Sequence, residues 1–458
     1  MTSLREHFGS KLGFVMAAIG SAIGLGILWK FPYVVGKNGG GLFLLSYIVC
    51  VILIGLPLFI GELVLGRSAQ KAAVLSFEFH QPEKPAWKIA AWLGVISSFL
   101  IMSFYSVIAG YGMSYILLSL NGFYQNLSFE DVALVYEKLS SSGPISTFWH
   151  LGFTAITASI VFLGVRKGIE YWSKIMVKIF LILMLCLFAY SLTLPGLSQA
   201  FEFAFKIHPE QFSASSFIEA LGLALFTLSL GQGIMISYGS YMSSQESIFK
   251  TSLIVAVSVV IVAALSALTI FPVVFTFNVA PTSGPGLVFK TLPFLFDKLP
   301  CPMLISTSFF TLFVFTALTS AVPLIEVVAT NLMELFDLTR KKAVMIVALG
   351  TFIFGLPSAF SNTTSTIMQD WKSIYGLNFL ETVDQLVSVW MIPLAGFLTS
   401  VFVGWKVSKE VAMKQFEVTG NPSWVFSFWY FSIRYIVPLV SLVIILQGSG
   451  VIDINQFF

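Results

Sequence analysis

Two apolar segments of this chain are interrupted by small residues: GSAIGLG at residues 20–26 and TLSLGQG at residues 227–233. Glycine weakens a helix at a membrane depth where lipid offers no hydrogen-bond partner, and unpaired backbone survives there only beside a polar cavity. A packing face of small residues would explain the first stretch alone. The repetition of the pattern favours two helices broken at mid-membrane, a sign of a transporter's binding site.

The composition is that of a membrane protein. Of 458 residues, 57% are hydrophobic and only 10% are charged, whereas a soluble domain has about 25% charged residues. Eleven segments are apolar and long enough to cross a bilayer, so we expect an all-α integral membrane protein. The predicted spans are 12–36, 41–66, 89–120, 148–165, 169–194, 215–241, 250–277, 302–336, 343–358, 379–405 and 424–447.

The distribution of Lys and Arg predicts the orientation. If the N-terminus is cytoplasmic, the inner segments hold sixteen of these residues and the outer loops hold six, as the positive-inside rule requires. We therefore expect a multi-pass protein of the cell inner (plasma) membrane. The sequence contains no nucleic-acid motif and no constellation typical of an enzyme. It therefore predicts no organic cofactor and leaves the oligomeric state open.

Several motifs together resemble the neurotransmitter:sodium symporter family, in its bacterial amino-acid branch. They are GSAIGLG at 20–26, Phe31-Pro32, NGGG at 38–41, GLP at 55–57, Glu62, Gly66-Arg67, FTLSLG at 226–231, ALTS at 317–320 and Arg434-Tyr435. The resemblance implies two inverted five-helix repeats in which helices one and six are broken. It divides the chain into residues 1–194, 195–405 and 406–458, the last part comprising a cytoplasmic loop, the eleventh helix and a short outer tail.

The resemblance also implies a site for one sodium ion, the second site of the family. Its ligands would be the carbonyls of Gly20, Ile23 and Thr316 and the hydroxyls of Thr319 and Ser320. Neutral oxygens suit a hard cation. Without the resemblance, Thr319 and Ser320 could be a pair of hydroxyls bonded back to their own helix.

The first sodium site of the family is expected to be absent. Ile27 stands where an asparagine normally follows the first break, and Val259 stands where a second amide is expected. Neither side chain offers an oxygen. Ala263 stands at the position of the acidic residue that replaces chloride in bacterial members. The missing amides and the missing acid together indicate that this whole site is lost.

Lys178 is a coupling candidate, because a lysine predicted near the middle of the membrane is a functional residue by default. Many bacterial members have proline at this position. In some sodium-independent relatives of the fold, a lysine on the fifth helix occupies the place of the second sodium ion. The alternative is a side chain that extends to an inner vestibule.

Other charged residues match the gates of the family. Lys30 and Asp384 match an outer pair, Arg5 and Glu334 match an inner pair, and Tyr241 supports the inner gate. A solvated position is the alternative for each charge. Phe8 replaces the usual inner tryptophan. Glu62 and Glu326 lie within spans, and we expect Glu62 to accept hydrogen bonds from amides of a broken helix.

The substrate is expected at the two breaks. The resemblance assigns the carboxylate to Tyr105, Gly24 and Gly26, and the amine to carbonyls near Ala22 and Phe226, with Thr227 and Ser229 close by. The side-chain pocket is expected to contain Ile101, Ile108, Phe226, Gln232, Ser320 and Leu324. Most of these are apolar, and Gly24 replaces the aspartate of the monoamine carriers. A neutral aliphatic or aromatic L-amino acid is therefore expected.

The sequence leaves three functional hypotheses. The first is a sodium symporter that imports a neutral, mainly hydrophobic L-amino acid with one sodium ion. The second is a sodium-independent or proton-linked carrier in which Lys178 replaces the ion. The third is a substrate sensor or channel built on the same fold.

Overall fold

The spans predicted from the sequence are helical. The computed structural model describes residues 6–123, 125, 127–417, 423–449 and 451. Within these ranges, nine helices are long and apolar enough to cross a bilayer: Gly41–Ala69, Pro85–Leu120, Gly143–Phe162, Val165–Ser191, Ile248–Thr276, Pro302–Phe336, Arg340–Ala359, Phe379–Trp405 and Ser423–Gly448. They are spans 2, 3, 4, 5, 7, 8, 9, 10 and 11 of the predicted series.

Spans 1 and 6 are the interrupted ones. Span 1 consists of the helices Lys11–Ala22, Leu25–Trp29 and Phe31–Lys37. Span 6 consists of Ala214–Thr227 and Ile234–Tyr241. The predicted all-α fold of about eleven spans, with the first and sixth broken, is therefore confirmed.

The outer faces of the bundle are apolar. Ile182 on span 5, Leu349 on span 9 and Leu439 on span 11 are among the large side chains left exposed. Such faces are stable against hydrocarbon, where no hydrophobic penalty applies. Short helices connect the spans: Ala73–His80, Phe129–Ser141, Leu197–Phe205, Leu292–Asp297, Thr366–Tyr375 and Lys409–Glu417.

The interrupted spans lie inside the bundle. The first half of span 1, Lys11–Ala22, packs against spans 5 and 8, and the second half of span 6, Ile234–Tyr241, packs against span 2. Spans 3 and 8 pack along each other over much of their length. This arrangement brings both breaks against spans 3 and 8, where the candidate site lies.

Candidate functional site

The two breaks have different backbone geometry. In span 1 the helix ends at Ala22, and the extended Gly24 (φ −101°, ψ 179°) begins the next helix. In span 6 the chain unwinds over residues 228–233 with left-handed φ angles at Ser229 (54°), Gly231 (69°) and Gly233 (71°). Glycine adopts such angles without strain, which explains both glycines in TLSLGQG.

The breaks are tied to each other and to span 2. The Ser229 hydroxyl donates to the Ser21 carbonyl at 2.9 Å, and the Ser21 hydroxyl lies 3.2 Å from the Ser229 hydroxyl. The Gly231 amide donates to Glu62 Oε1 at 2.8 Å. The fully buried Glu62 thus accepts a hydrogen bond from the broken helix, as expected from the sequence.

A cavity lies between the breaks and spans 3 and 8. Eleven of the twelve residues predicted for the substrate site line it. The lining consists of Ser21, Ala22, Gly24, Leu25, Gly26, Ile27, Ile101, Tyr105, Phe226, Thr227, Ser229, Gln232, Ser320 and Leu324. The sequence interpretation missed Ser21, Leu25 and Ile27, although their positions between predicted residues of the first break could have indicated them.

Ile108 is the predicted pocket residue that does not line this cavity. It is buried, with 7% of its surface exposed, and it lies on span 3 about one helical turn beyond Tyr105. Tyr105 lines the cavity, whereas Ile108 does not. The prediction that Ile108 contributes to the pocket is therefore corrected.

Tyr105 lines one end of the cavity. Its hydroxyl accepts a hydrogen bond from the Leu25 amide at 3.3 Å, so the O–H proton is directed elsewhere. A Cβ atom on Gly24 would lie 3.3 Å from the Ser320 hydroxyl and 3.8 Å from the Tyr105 hydroxyl. A larger residue at position 24 would thus narrow this polar end of the cavity.

Three of the five predicted ligands of the second sodium site, Gly20, Ile23 and Ser320, come together beside the cavity. The Ser320 hydroxyl lies 3.2 Å from the Gly20 carbonyl oxygen, 3.3 Å from that of Ser21 and 3.1 Å from that of Ile23. One hydroxyl thus faces three carbonyls at the end of a broken helix. An uncharged cluster of oxygens is the kind of donor set that a hard cation takes.

Thr319, on span 8, packs against Gly20 next to this cluster. The Thr319 hydroxyl donates to the carbonyls of Phe315 and Thr316, both at 3.0 Å. The alternative of a hydroxyl bonded back to its own helix therefore describes Thr319 in this structure, whereas Ser320 reaches across to span 1. A Cβ atom on Gly20 would lie 2.9 Å from Thr319 Cβ, so glycine permits this close approach.

The residues from which the loss of the first sodium site is predicted are apolar and buried. Ile27, Val259 and Ala263 are fully buried. The Ile27 carbonyl instead accepts a hydrogen bond from the Ser266 hydroxyl at 2.8 Å. The Thr227 hydroxyl is paired with the Tyr47 hydroxyl, also at 2.8 Å. Hydrogen bonds from side chains thus satisfy the polar groups on this side of the first break.

Lys178 does not point toward the sodium region. Its side chain is exposed, whereas the adjacent Val177 is buried and lies 3.1 Å from a Cβ atom placed on Gly20. Consecutive residues of a helix point about 100° apart, so a helix that turns Val177 inward turns Lys178 outward. Lys178 therefore does not fill the sodium site in this structure, and its part in coupling stays a prediction.

The inner-gate region contains a buried ionic network. Arg340 donates to Glu326 Oε2 at 2.7 Å, and the Tyr241 hydroxyl donates to Glu326 Oε1 at 2.6 Å. Glu6 lies 3.6 Å from the Arg340 guanidinium. The sequence interpretation did not assign a partner to Glu326, although a fully buried carboxylate requires one and Arg340 begins the next span.

The other gate predictions have mixed outcomes. Arg5 lies outside the described residues, and Glu334 accepts a hydrogen bond from the Ala72 amide at 2.8 Å. Lys30 and Asp384 are exposed, and no ion pair joins them in this structure. The inner network is thus formed while the predicted outer pair is open.

Phe8 closes the inner region with aromatic contacts. Its ring centre lies 5.2 Å from that of Phe14, 5.7 Å from that of Tyr238 and 6.3 Å from that of Tyr241. Edge-to-face packing at these distances is favourable. Phenylalanine at this position therefore provides an apolar seal in place of the tryptophan that the family usually has.

Comparison with known proteins decides the family. The profile of the Sodium:neurotransmitter symporter family matches residues 5–138 and 125–456. The chain belongs to this family. It is 36% identical to an uncharacterized sodium-dependent transporter, YhdH, of Bacillus subtilis over 449 residues, which cover 98% of each chain.

Two further relatives carry more specific names. The sodium-dependent neutral amino acid transporter B(0)AT3 of Rattus norvegicus is 27% identical over 306 residues, covering 59% of this chain and 48% of the relative. The crystal structure of MhsT in complex with L-phenylalanine superimposes with a TM-score of 0.88 at 36% identity, covering 97% of this chain and 100% of MhsT.

Membership in the symporter family settles the general class of the protein. It is a multi-pass membrane transporter of a sodium-dependent family, and that family consists of secondary transporters rather than enzymes. The identity of the substrate, the number of sodium ions and the division into repeats at residues 194 and 405 stay predictions.

Proposed function

We propose that this family member imports a neutral, mainly hydrophobic L-amino acid across the plasma membrane by symport with one sodium ion at the second family site. The observation that carries the proposal is the Ser320 hydroxyl, which faces three carbonyls of the first break and also lines the adjoining cavity. One residue thus contacts both the proposed ion site and the proposed substrate site. Occupancy of one site therefore affects the geometry of the other.

The lining of the cavity supports a neutral substrate. None of the fourteen lining residues has a charged side chain. A cationic or anionic side chain would lose its hydration there without a partner, at a large cost in free energy. The backbone charges of a zwitterion have partners in the Tyr105 hydroxyl and the peptide groups of the breaks. L-phenylalanine is bound by MhsT and belongs to the proposed substrate class.

One sodium ion is sufficient to drive accumulation. Movement of one charge through 100 mV contributes about 2.3 kcal/mol, and a tenfold sodium gradient contributes about 1.4 kcal/mol. The sum of roughly 3.7 kcal/mol corresponds to an accumulation of several hundred-fold. The loss of the first sodium site is therefore compatible with an efficient importer.

Transport into proteoliposomes tests the proposal. The purified full-length protein is reconstituted, and uptake of labelled L-phenylalanine and L-leucine is measured with an inward sodium gradient or with potassium in its place. We expect uptake that requires sodium and is abolished by an ionophore that dissipates the gradient. Equal uptake without sodium would support a sodium-independent carrier. Saturable binding without uptake would support a substrate sensor.

A substitution at Tyr105 tests the position of the substrate. Tyr105→Phe removes a hydrogen bond to a charged carboxylate, so we expect affinity to fall by about 1.5–3 kcal/mol. Tyr375→Phe, on the exposed helix Thr366–Tyr375, is the matched control and should leave affinity unchanged. Equal affinities in the two variants would argue against the proposed site.

A further inference from the structure

The Gln232 side chain is a polar group of the cavity that has no hydrogen-bond partner within the described ranges. Only 4% of the residue is exposed. Its hydrogen bond with Ser98 uses the backbone carbonyl and not the side-chain amide. The other polar lining side chains are engaged: Ser21 with Ser229, Thr227 with Tyr47, Tyr105 with the Leu25 amide, and Ser320 with three carbonyls. Gln232 is thus the cavity residue with unused hydrogen-bonding capacity.

Gln232 lies away from the Tyr105 end of the cavity. Its carbonyl accepts a hydrogen bond from the Ser98 hydroxyl at 2.9 Å. Ser98 precedes Tyr105 by seven residues on the same helix, which corresponds to about 10 Å along the helix axis. Ile101 lines the cavity between these two levels. A substrate whose carboxylate contacts Tyr105 therefore extends its side chain toward Gln232.

A substrate that fills the cavity removes water from the Gln232 amide, and an amide that loses water without gaining a partner is unfavourable. A purely apolar substrate side chain would leave the amide in that condition. A side chain with an uncharged hydroxyl, carboxamide or indole N–H would pair with it, since a carboxamide both donates and accepts hydrogen bonds. A substrate cation or anion would still lack a counter-charge among the lining residues.

We propose that Gln232 makes the transporter prefer neutral L-amino acids whose side chain carries one uncharged hydrogen-bonding group over apolar amino acids of the same size. The apolar walls contributed by Ile101, Phe226 and Leu324 accept the body of the side chain, and the amide accepts its polar group. This inference rests on the proposed transport of neutral amino acids and, within that class, shifts the preference from purely apolar side chains to those with one uncharged polar group.

Matched pairs of amino acids test the preference in the unmodified protein. Inhibition of labelled L-phenylalanine uptake into proteoliposomes is compared for L-threonine with L-valine, L-glutamine with L-methionine, and L-tyrosine with L-phenylalanine itself. We expect the polar member of at least one pair to inhibit at a concentration about 3- to 10-fold lower, the effect of one net hydrogen bond. In a pocket without a partner, the apolar member of every pair would bind more tightly.

The variant Gln232→Leu assigns the preference to this residue. It should reverse the order within the pair that shows the polar preference, while uptake of the apolar member continues. Gln369→Leu, the same substitution on the exposed helix Thr366–Tyr375, is the control and should keep the wild-type order. If Gln232→Leu does not fold, Gln232→Glu provides a second test. A carboxylate facing the substrate should weaken the binding of an amino acid with a carboxamide or hydroxyl group less than the binding of an apolar amino acid.

The outcomes separate this inference from the proposed function. Tighter inhibition by the apolar member of every pair in the unmodified protein would overturn the inference and leave amino-acid transport intact. A polar preference that persists in Gln232→Leu would also overturn it. Failure of every amino acid to bind or to be transported would overturn the proposed function itself.

Discussion

The regions around Ser320 and Ile27 lie on the two sides of the first helix break. They differ in how their backbone carbonyls find hydrogen-bond partners. The break removes the carbonyls near Ser320 from helical hydrogen bonding, whereas the carbonyl of Ile27 belongs to the helix that follows the break. Near Ser320, one hydroxyl faces three carbonyls, so several oxygen lone pairs are left for a cation. Near Ile27, Ser266 donates to the carbonyl, and Val259 and Ala263, on the same span as Ser266, are fully buried.

The difference is the one that we expect if the first sodium site is lost while the fold is kept. Removal of a cation from a broken helix leaves unpaired carbonyls, which are costly in an apolar interior. On the side of Ile27, a serine on span 7 donates a hydrogen bond to the carbonyl. On the side of Ser320, a single hydroxyl faces three carbonyls and cannot donate to all of them at once. The contrast leads to four predictions.

The largest effect is expected from removing both hydroxyls of the retained region. The double substitution Thr319→Val with Ser320→Ala deletes two oxygen ligands, each contributing about 1.5–3 kcal/mol to an interaction with a charge. The sodium concentration for half-maximal uptake should therefore rise by roughly 100-fold or more. Ser427→Ala, whose hydroxyl bonds within its own helix at the exposed start of span 11, is the control. An unchanged sodium dependence in the double variant would remove the basis of the comparison.

The next effect concerns stability on the side of Ile27. Ser266→Ala leaves a buried carbonyl without its donor, so the free energy of unfolding should fall by about 1–3 kcal/mol. Ser252→Ala on the same span is the control, because that hydroxyl bonds only to the carbonyl of Ile248, one turn earlier. Thermal denaturation of both variants measures the difference. Equal shifts would show that Ser266 does not replace an ion.

A smaller effect is expected on the sodium stoichiometry. The unmodified protein should show a Hill coefficient for sodium near one, because the side chains of Ile27 and Val259 provide no oxygen. The double substitution Ile27→Asn with Val259→Asn returns two amide oxygens and should raise the coefficient toward two. Sodium titrations of initial uptake rates give both values. A coefficient near two in the unmodified protein would show that the first site is still functional.

The smallest effect is expected at Lys178. Because its side chain is exposed and points away from the sodium region, Lys178→Gln should change the uptake rate and its sodium dependence by less than about twofold, as for surface substitutions in general. Uptake measured at several pH values gives the comparison. Loss of transport in this variant would revive the hypothesis that the lysine takes part in coupling.

Much of the candidate site was predictable because it is local in sequence. The residues of GSAIGLG and TLSLGQG are fixed relative to each other by the chain, and the family motifs add Tyr105, Ser320 and Leu324. The polar network of the inner gate was less predictable. The contacts of Glu326 with Arg340 and Tyr241 join three separate elements, and no local pattern specifies such a pairing.

The sequence by itself determined the membrane class, the positions of the spans and the two breaks, because these depend on composition and on glycine at particular positions. Only the tertiary structure decided that Val177 rather than Lys178 faces the sodium region and that Ile108 does not line the cavity. The physical reason is rotational. A span that is apolar nearly all around does not specify which face packs inward, and the packing of spans 3, 5 and 8 around the first break selects that face.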